Sequence, residues 1–139
     1  MKVKNKNTLF ISLLFFLITI VFFIGFILKA PYGDFMNEQK FKTLNSYKDA
    51  NLVFYKKACP YCKAGKSEIT NQAMKSKIVT YFIDAETKQG INIVKKYHVK
   101  YAPTMVVIRN NDYKSFLYAH DKGKKIVVEK RKIKEAFEK

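Results

Sequence analysis

The chain has two cysteines, three positions apart in Cys59-Pro60-Tyr61-Cys62, directly after the short apolar run Leu52-Val53-Phe54-Tyr55 and Lys56-Lys57-Ala58. Two thiols that close form and break a disulfide by exchange, the chemistry of a dithiol redox centre. Pro60 marks the first position of a helix, where its missing N–H is not needed and its φ is already set. Cys59 then falls at the N-cap. There, unpaired backbone N–H groups and the positive end of the helix dipole favour a thiolate. Such a position lowers a cysteine below its free value of about 8.5. Lys56, Lys57, Lys63 and Lys66 act in the same direction. Cys59 is the expected nucleophile, and Cys62, one turn further in, the resolving thiol.

Other uses of the pair fit less well. A purely structural disulfide across two residues closes a tiny loop and restrains the unfolded chain little. A tetrahedral zinc site needs four ligands. Besides the cysteines only His98 and His120 are on offer, and neither lies at finger spacing. A two-cysteine iron–sulfur site shared between chains has nothing to support it. No metal and no cofactor are expected.

The elements that must position the pair follow from periodicity. Phe41, Leu44 and Tyr47 recur at three-residue steps, so residues 37–47 read as an amphipathic helix. Residues 51–56 are a strand, apolar at the centre and buried on both faces. A helix begins at Pro60 and runs to Met74, with Ile69, Ala73 and Met74 inward. Residues 77–84 make a second strand, and 86–97 a helix facing the sheet with Ile91, Ile93, Val94 and Tyr97. Residues 104–109 make a third strand, turned at Asn110-Asn111-Asp112 into a partner at 113–118. Residues 125–128 add a further strand candidate, and 129–137 end the chain as a helix. This order predicts a parallel βαβ half followed by an antiparallel hairpin, in one domain with a single core.

The N-terminal stretch is of another kind. Residues 1–8 carry Lys2, Lys4 and Lys6 and no acid, and residues 9–28 carry no charge at all. Twenty such residues, at about 1.5 Å each, match a bilayer core of roughly 30 Å. The apolar stretch of a cleaved signal peptide is only about 7–15 residues, and Leu28 and Ala30 before Pro31 form a poor cleavage site. The sequence therefore predicts a basic tail at 1–8, a transmembrane signal-anchor at 9–28, a linker at 29–36 and a folded domain at 37–139. Lysines nearly balance across the span. The cost of exporting a cationic tail places the N-terminus in the cytoplasm and the domain outside it. A protein with no cysteine beyond the pair also suits an oxidising compartment.

The net charge is +16. The 27 cations less Lys2, Lys4, Lys6 and Lys29 leave 23 against 11 acids beyond residue 29, a net of +12. Such charge suits anionic headgroups or acidic polymers. No nucleic-acid motif accompanies it, and nucleic acid is not an expected partner.

Two segments carry a family resemblance: Phe54-Tyr55-Lys56-Lys57-Ala58-Cys59-Pro60-Tyr61-Cys62 and Tyr97-His98-Val99-Lys100-Tyr101-Ala102-Pro103-Thr104. With these motifs, about forty residues apart, the chain resembles the thioredoxin-fold thiol–disulfide oxidoreductases over residues 37–139. The resemblance implies an α/β, thioredoxin-like three-layer fold, a mixed central sheet flanked by helices, here preceded by one transmembrane helix. It implies that Pro103 is cis and lies beside the cysteines, leaving the Ala102 backbone free to pair with an extended substrate. Thr104 and Tyr61 complete the substrate-binding set it suggests, and Lys56, Lys57 and Lys63 the thiolate-stabilising set. The CPYC pair is similar to that of glutaredoxins, but the glycine pair that helps those proteins hold glutathione is missing after Thr104. Val53 stands where thioredoxins bury an acid, leaving Glu68 or water to take the Cys62 proton. The overall plan is similar to exported Gram-positive oxidoreductases, including accessory proteins encoded beside bacteriocins.

The expected function is a single-pass, membrane-anchored, extracytoplasmic oxidoreductase that forms, isomerises or reduces disulfides. Its partners would be exported protein or peptide thiols and disulfides and a recycling redox partner. The alternatives are an anchored binding module that offers Tyr55, Tyr61 and Tyr101 to a partner, and a glutaredoxin-like reductase.

Overall fold

A computed structural model describes residues 6–28, 35–43 and 49–138 of the protein. The chain divides into two units, Met1–Gly33 and Asp34–Lys139.

In the first unit, helix α1 covers Lys6–Leu28. Its described side chains, 10–24, are all exposed. Among the described residues no helix is long and apolar enough to cross a membrane.

The second unit is built on a five-stranded sheet. Its strands are β1 (Met36–Asn37), β2 (Asp49–Tyr55), β3 (Val79–Asp84), β4 (Thr104–Arg109) and β5 (Asp112–Leu117), in spatial order β1-β3-β2-β4-β5. Strands β1, β3 and β2 run parallel, while β4 and β5 are antiparallel to their neighbours. The helices are α2 (Glu38–Thr43), α3 (Pro60–Lys75), α4 (Lys88–Lys96) and α5 (Lys130–Phe137).

Alternation along the strands fills two cores. Phe41 of α2 and Ile93 of α4 pack with Ala50, Leu52, Phe54, Tyr81, Ile83, Val106 and Ile108 on one face. The opposite parity, which includes Val53, Phe82 and Met105, is buried with Ile69 of α3 and Ile133 of α5. Apolar parity on both faces is the mark of a sheet covered on both sides. Truncating any one of these large side chains to alanine costs about 2–5 kcal/mol.

Several expectations are corrected. Met36–Asn37 is a short edge strand rather than linker and helix start. Asn37 instead caps α2 through its Oδ1, which accepts from the N–H groups of Gln39 and Lys40. Helix α2 is described only to Thr43, so Leu44 and Tyr47 lie outside the described residues. Met74 and Ile91, expected inward, are 67% and 41% exposed, because each sits on the solvent side of its helix. Strand β2 is not wholly apolar at its centre. Asn51 is fully buried; its Nδ2 donates to the Ala136 carbonyl at 2.8 Å, and its Oδ1 accepts from Arg109 at 3.2 Å. That pair ties α5 to the sheet.

The largest departure follows β5. Strands β6 (Ala119–Lys122) and β7 (Lys125–Val128) form a separate two-stranded hairpin rather than one added strand. Tyr118, fully buried, leads into it and donates from Oη to the Phe54 carbonyl at 3.3 Å. The Glu129 N–H donates to the Tyr118 carbonyl at 3.0 Å and closes the hairpin's base.

Candidate active site

The site lies where β2 ends and α3 begins. The Lys56 carbonyl accepts from the Cys59 N–H at 3.3 Å, making a tight turn out of β2. Cys59 is the N-cap of α3, with φ −79° and ψ 115°, and Pro60 opens the helix. Cys59 and Cys62 are joined in a disulfide with their Cα atoms 5.2 Å apart. The Cys59 Sγ accepts from the Cys62 N–H at 3.1 Å, so the sulfur already occupies the place of a capping oxygen. Cys59 is half-buried and Cys62 only 3% exposed. An incoming group therefore meets Cys59 first.

The Ala102–Pro103 peptide bond is cis. Pro103 is buried, Ala102 half-buried and Tyr101 exposed. Ala102 makes no backbone hydrogen bond to another described residue. Thr104 is turned inward instead: its Oγ1 donates to the Tyr101 carbonyl at 2.6 Å and holds the loop in shape.

The lysines differ from one another. Lys56 and Lys63 are exposed. Lys57 is tied down: its Nζ lies 3.8 Å from Asp84 Oδ2, and its N–H donates to Glu86 Oε2 at 2.9 Å. Tyr61, between the cysteines, donates from Oη to Asp121 Oδ2 on β6 at 2.8 Å. That bond, and then the nearby Asp121 charge, raise the Tyr61 phenol above its ordinary 10.0. Tyr55 is buried and serves as packing rather than as an offered surface.

Sequence reasoning missed two acids at this end of the sheet. Asp84, only 4% exposed, ends β3 opposite Tyr55 and so shares a sheet face with Val53 and Phe82. Its Oδ1 accepts from the Glu86 N–H at 2.9 Å. An acid closing the apolar run Tyr81-Phe82-Ile83 was the available signal. Asp121 carried no such signal, because its role depends on a hairpin that local pattern did not show. Glu68, the earlier candidate for proton transfer, accepts from Gln72 Nε2 along α3. Both histidines lie away from metal geometry: His98 is exposed, and His120 bonds Glu129 Oε1 at 2.7 Å. No cluster of three metal-ligating side chains occurs among the described residues.

A sulfur pair at a helix N-terminus, with a cis-proline loop at the same end of a mixed five-stranded sheet, is the arrangement of thioredoxins. A sequence model of the thioredoxin family matches residues 34–132, and the chain belongs to that family. Solved structures agree in fold. Oxidised mitochondrial thioredoxin 3 from Saccharomyces cerevisiae is 18% identical with a TM-score of 0.52, over 63% of this chain and 86% of that one. Thioredoxin O2 from Arabidopsis thaliana, also oxidised, is 18% identical with a TM-score of 0.52, over 60% and 81%. A thioredoxin-like protein from Clostridium perfringens is 19% identical with a TM-score of 0.52, over 70% and 74%. No curated protein matches the chain in sequence. With this fold and its cysteine pair, the protein is a thiol–disulfide oxidoreductase.

Proposed function

We propose that the protein is a membrane-anchored oxidoreductase that makes or rearranges disulfides in exported polypeptides. The observation that carries the reading is the Cys59 sulfur at the N-cap of α3, accepting the Cys62 N–H, with Cys62 shielded behind it. In the reduced protein that N–H and the helix dipole would stabilise the Cys59 thiolate.

As a reductant, the Cys59 thiolate attacks one sulfur of a substrate disulfide. The substrate S–S bond breaks, one substrate sulfur leaves as a thiolate and takes a proton, and a mixed disulfide forms. Cys62 then loses its proton and attacks Cys59 Sγ, releasing the second substrate thiol. Two electrons have passed to the substrate, and the Cys59–Cys62 bond has formed. The reverse sequence oxidises a substrate dithiol. Asp84, buried on the face that carries Val53, takes the proton of Cys62 in place of Glu68. The exposed Lys56 and Lys63 favour the thiolate form, which makes the disulfide the stronger oxidant. An extended substrate lies along the Ala102 backbone, beside Tyr61.

The exposed apolar side chains of α1, among them Phe10, Phe15 and Phe22, support an anchor, and the cationic tail before it favours an N-terminus in the cytoplasm and a domain outside. Resistance of the full chain to alkaline carbonate extraction, with the domain cleaved by external protease, is the expected topology result. A chain released by carbonate would end the anchor reading. Equilibration of the pair with a glutathione buffer tests direction. We expect a potential less negative than about −200 mV. A value near −270 mV would mark a reductant. Replacing both cysteines with serine tests the non-catalytic alternative, since maturation of a partner that persists unchanged would leave only a binding role.

A further inference from the structure

The β6–β7 hairpin begins beside the cysteines and ends in cations that have no carboxylate. Asp121 is held by Tyr61 Oη, the residue between the two sulfurs. The turn that follows is Lys122-Gly123-Lys124-Lys125, exposed throughout. Lys122 and Lys125 stand directly opposite each other in the strand register. Like charges in that position destabilise a strand pair, and an anion between them removes the repulsion. Among the described residues, no carboxylate forms an ion pair with Lys122, Lys124 or Lys125. On α5, by contrast, Arg131, Lys132 and Lys134 each have one, in Glu135, Glu129 and Glu138.

Acids stand at both ends of the sheet, Asp84 and Glu86 against Lys57 at the sulfur end and four more at the other. Asp49, Asp112, Glu135 and Glu138 line one groove with Arg109. Asp49 opens β2, whose other end leads to Cys59. That groove is therefore at the far end of the sheet from the sulfurs. The hairpin's only acid, Asp121, accepts from Tyr61 Oη, so the hairpin carries three lysines against one carboxylate.

We propose that the hairpin tip, Lys122, Lys124 and Lys125, docks an acidic segment of the polypeptide whose sulfur reacts at Cys59. This assignment of substrate class rests on the redox reading above. The tip supplies long-range attraction that salt screens over about 10 Å at 0.1 M. The Tyr61–Asp121 bond fixes the distance between that attraction and the reacting sulfur.

The test uses the full chain in a neutral detergent. Two fluorescent peptides of equal length, one glutamate-rich and one lysine-rich, both without cysteine, are titrated and read by anisotropy. Exchange with hydroxyethyl disulfide is measured in parallel. The triple variant is Lys122→Glu/Lys124→Glu/Lys125→Glu, and a control with the same change of net charge is Lys75→Glu/Lys77→Glu/Lys95→Glu. The acidic peptide should bind at least about tenfold more tightly than the basic one at low salt, and the gap should close once the Debye length falls to about 3 Å at 1 M. The triple variant should lose about tenfold for the acidic peptide, and the control far less. Equal binding of both peptides, or equal losses in the two variants, overturns the proposal even if exchange proceeds normally. A triple variant that alters only association with phosphatidylglycerol vesicles assigns the tip to a lipid surface and also overturns it. Preference without exchange leaves the docking surface standing and removes the redox reading instead.

Discussion

Gly65 and Tyr118 meet face to face: a Cβ on Gly65 would lie 2.6 Å from Cδ2 of the tyrosine ring. Gly65 sits on α3 one turn after Cys62, and Tyr118 is the buried root of the β6–β7 hairpin. Hairpin and cysteine helix are thus fitted to each other at a point where no side chain has room. Gly65→Ala should destabilise the protein by about 1–3 kcal/mol through overpacking, more than the ~1 kcal/mol that alanine gains in a helix. Urea unfolding measures this. A neutral or stabilising result would show that the ring is free to move away.

Burial separates the two sulfurs. In the reduced protein Cys59 should be alkylated by iodoacetamide near pH 6 while Cys62 stays unmodified. Mass spectrometry after a short pulse reads the difference. Equal, slow labelling of both would remove the thiolate at the helix N-terminus and the mechanism with it.

Asp84→Asn should slow reduction of a disulfide peptide by at least about tenfold, within the range for loss of a general base. Alkylation of Cys59 should stay at the parent rate, because that step does not use the Cys62 proton. An unchanged pH–rate profile would exclude Asp84 from proton transfer.

His120 and Glu129 clasp the base of the hairpin at 2.7 Å. The Asp121 carbonyl, and then Glu129, raise the His120 imidazole above 6.5. The His120 bond holds the Glu129 carboxyl below 4.5. A raised folded value means that the histidine's contribution is complete below about 6.5 and fades as pH climbs through the folded value. A depressed one means that the carboxylate's contribution holds above about 4.5 and fades as pH falls through the folded value. Amide-exchange protection of β6 and β7 should therefore be greatest between those limits. His120→Ala should flatten the dependence. A flat profile in the parent protein would show that the clasp carries no charge.

Asn51 is the polar exception inside β2. Asn51→Ala removes the donor to the Ala136 carbonyl and the acceptor of Arg109. With Arg109 Nη2 still donating to that carbonyl at 2.7 Å, the expected loss is about 1–3 kcal/mol. A loss of near-native cooperativity confined to α5, seen by hydrogen exchange, would locate it. An unaffected helix would show that Arg109 alone secures α5.

The cysteine helix was legible because its determinants are local. Pro60 and the capping sulfur act within one turn, and the alternation of β2, β3 and β4 repeats over a few residues, so spacing alone carried them. The expectation of a cis Pro103 came through a family resemblance carried by two short segments, and the Ala102–Pro103 bond is cis. What spacing did not reveal are contacts between residues remote in the chain. Asp84 became a buried carboxylate only once β3 lay beside β2. The contacts of Lys57 with Asp84 and Glu86 likewise exist only in the folded chain.

Tyr61 meeting Asp121 and Tyr118 filling the space over Gly65 both depend on how β6 and β7 fold back on α3. Local preference decides where a helix starts and which face of a strand is apolar. Which acid stands by which cation is decided by packing, because a bond across 60 positions leaves no period in the sequence.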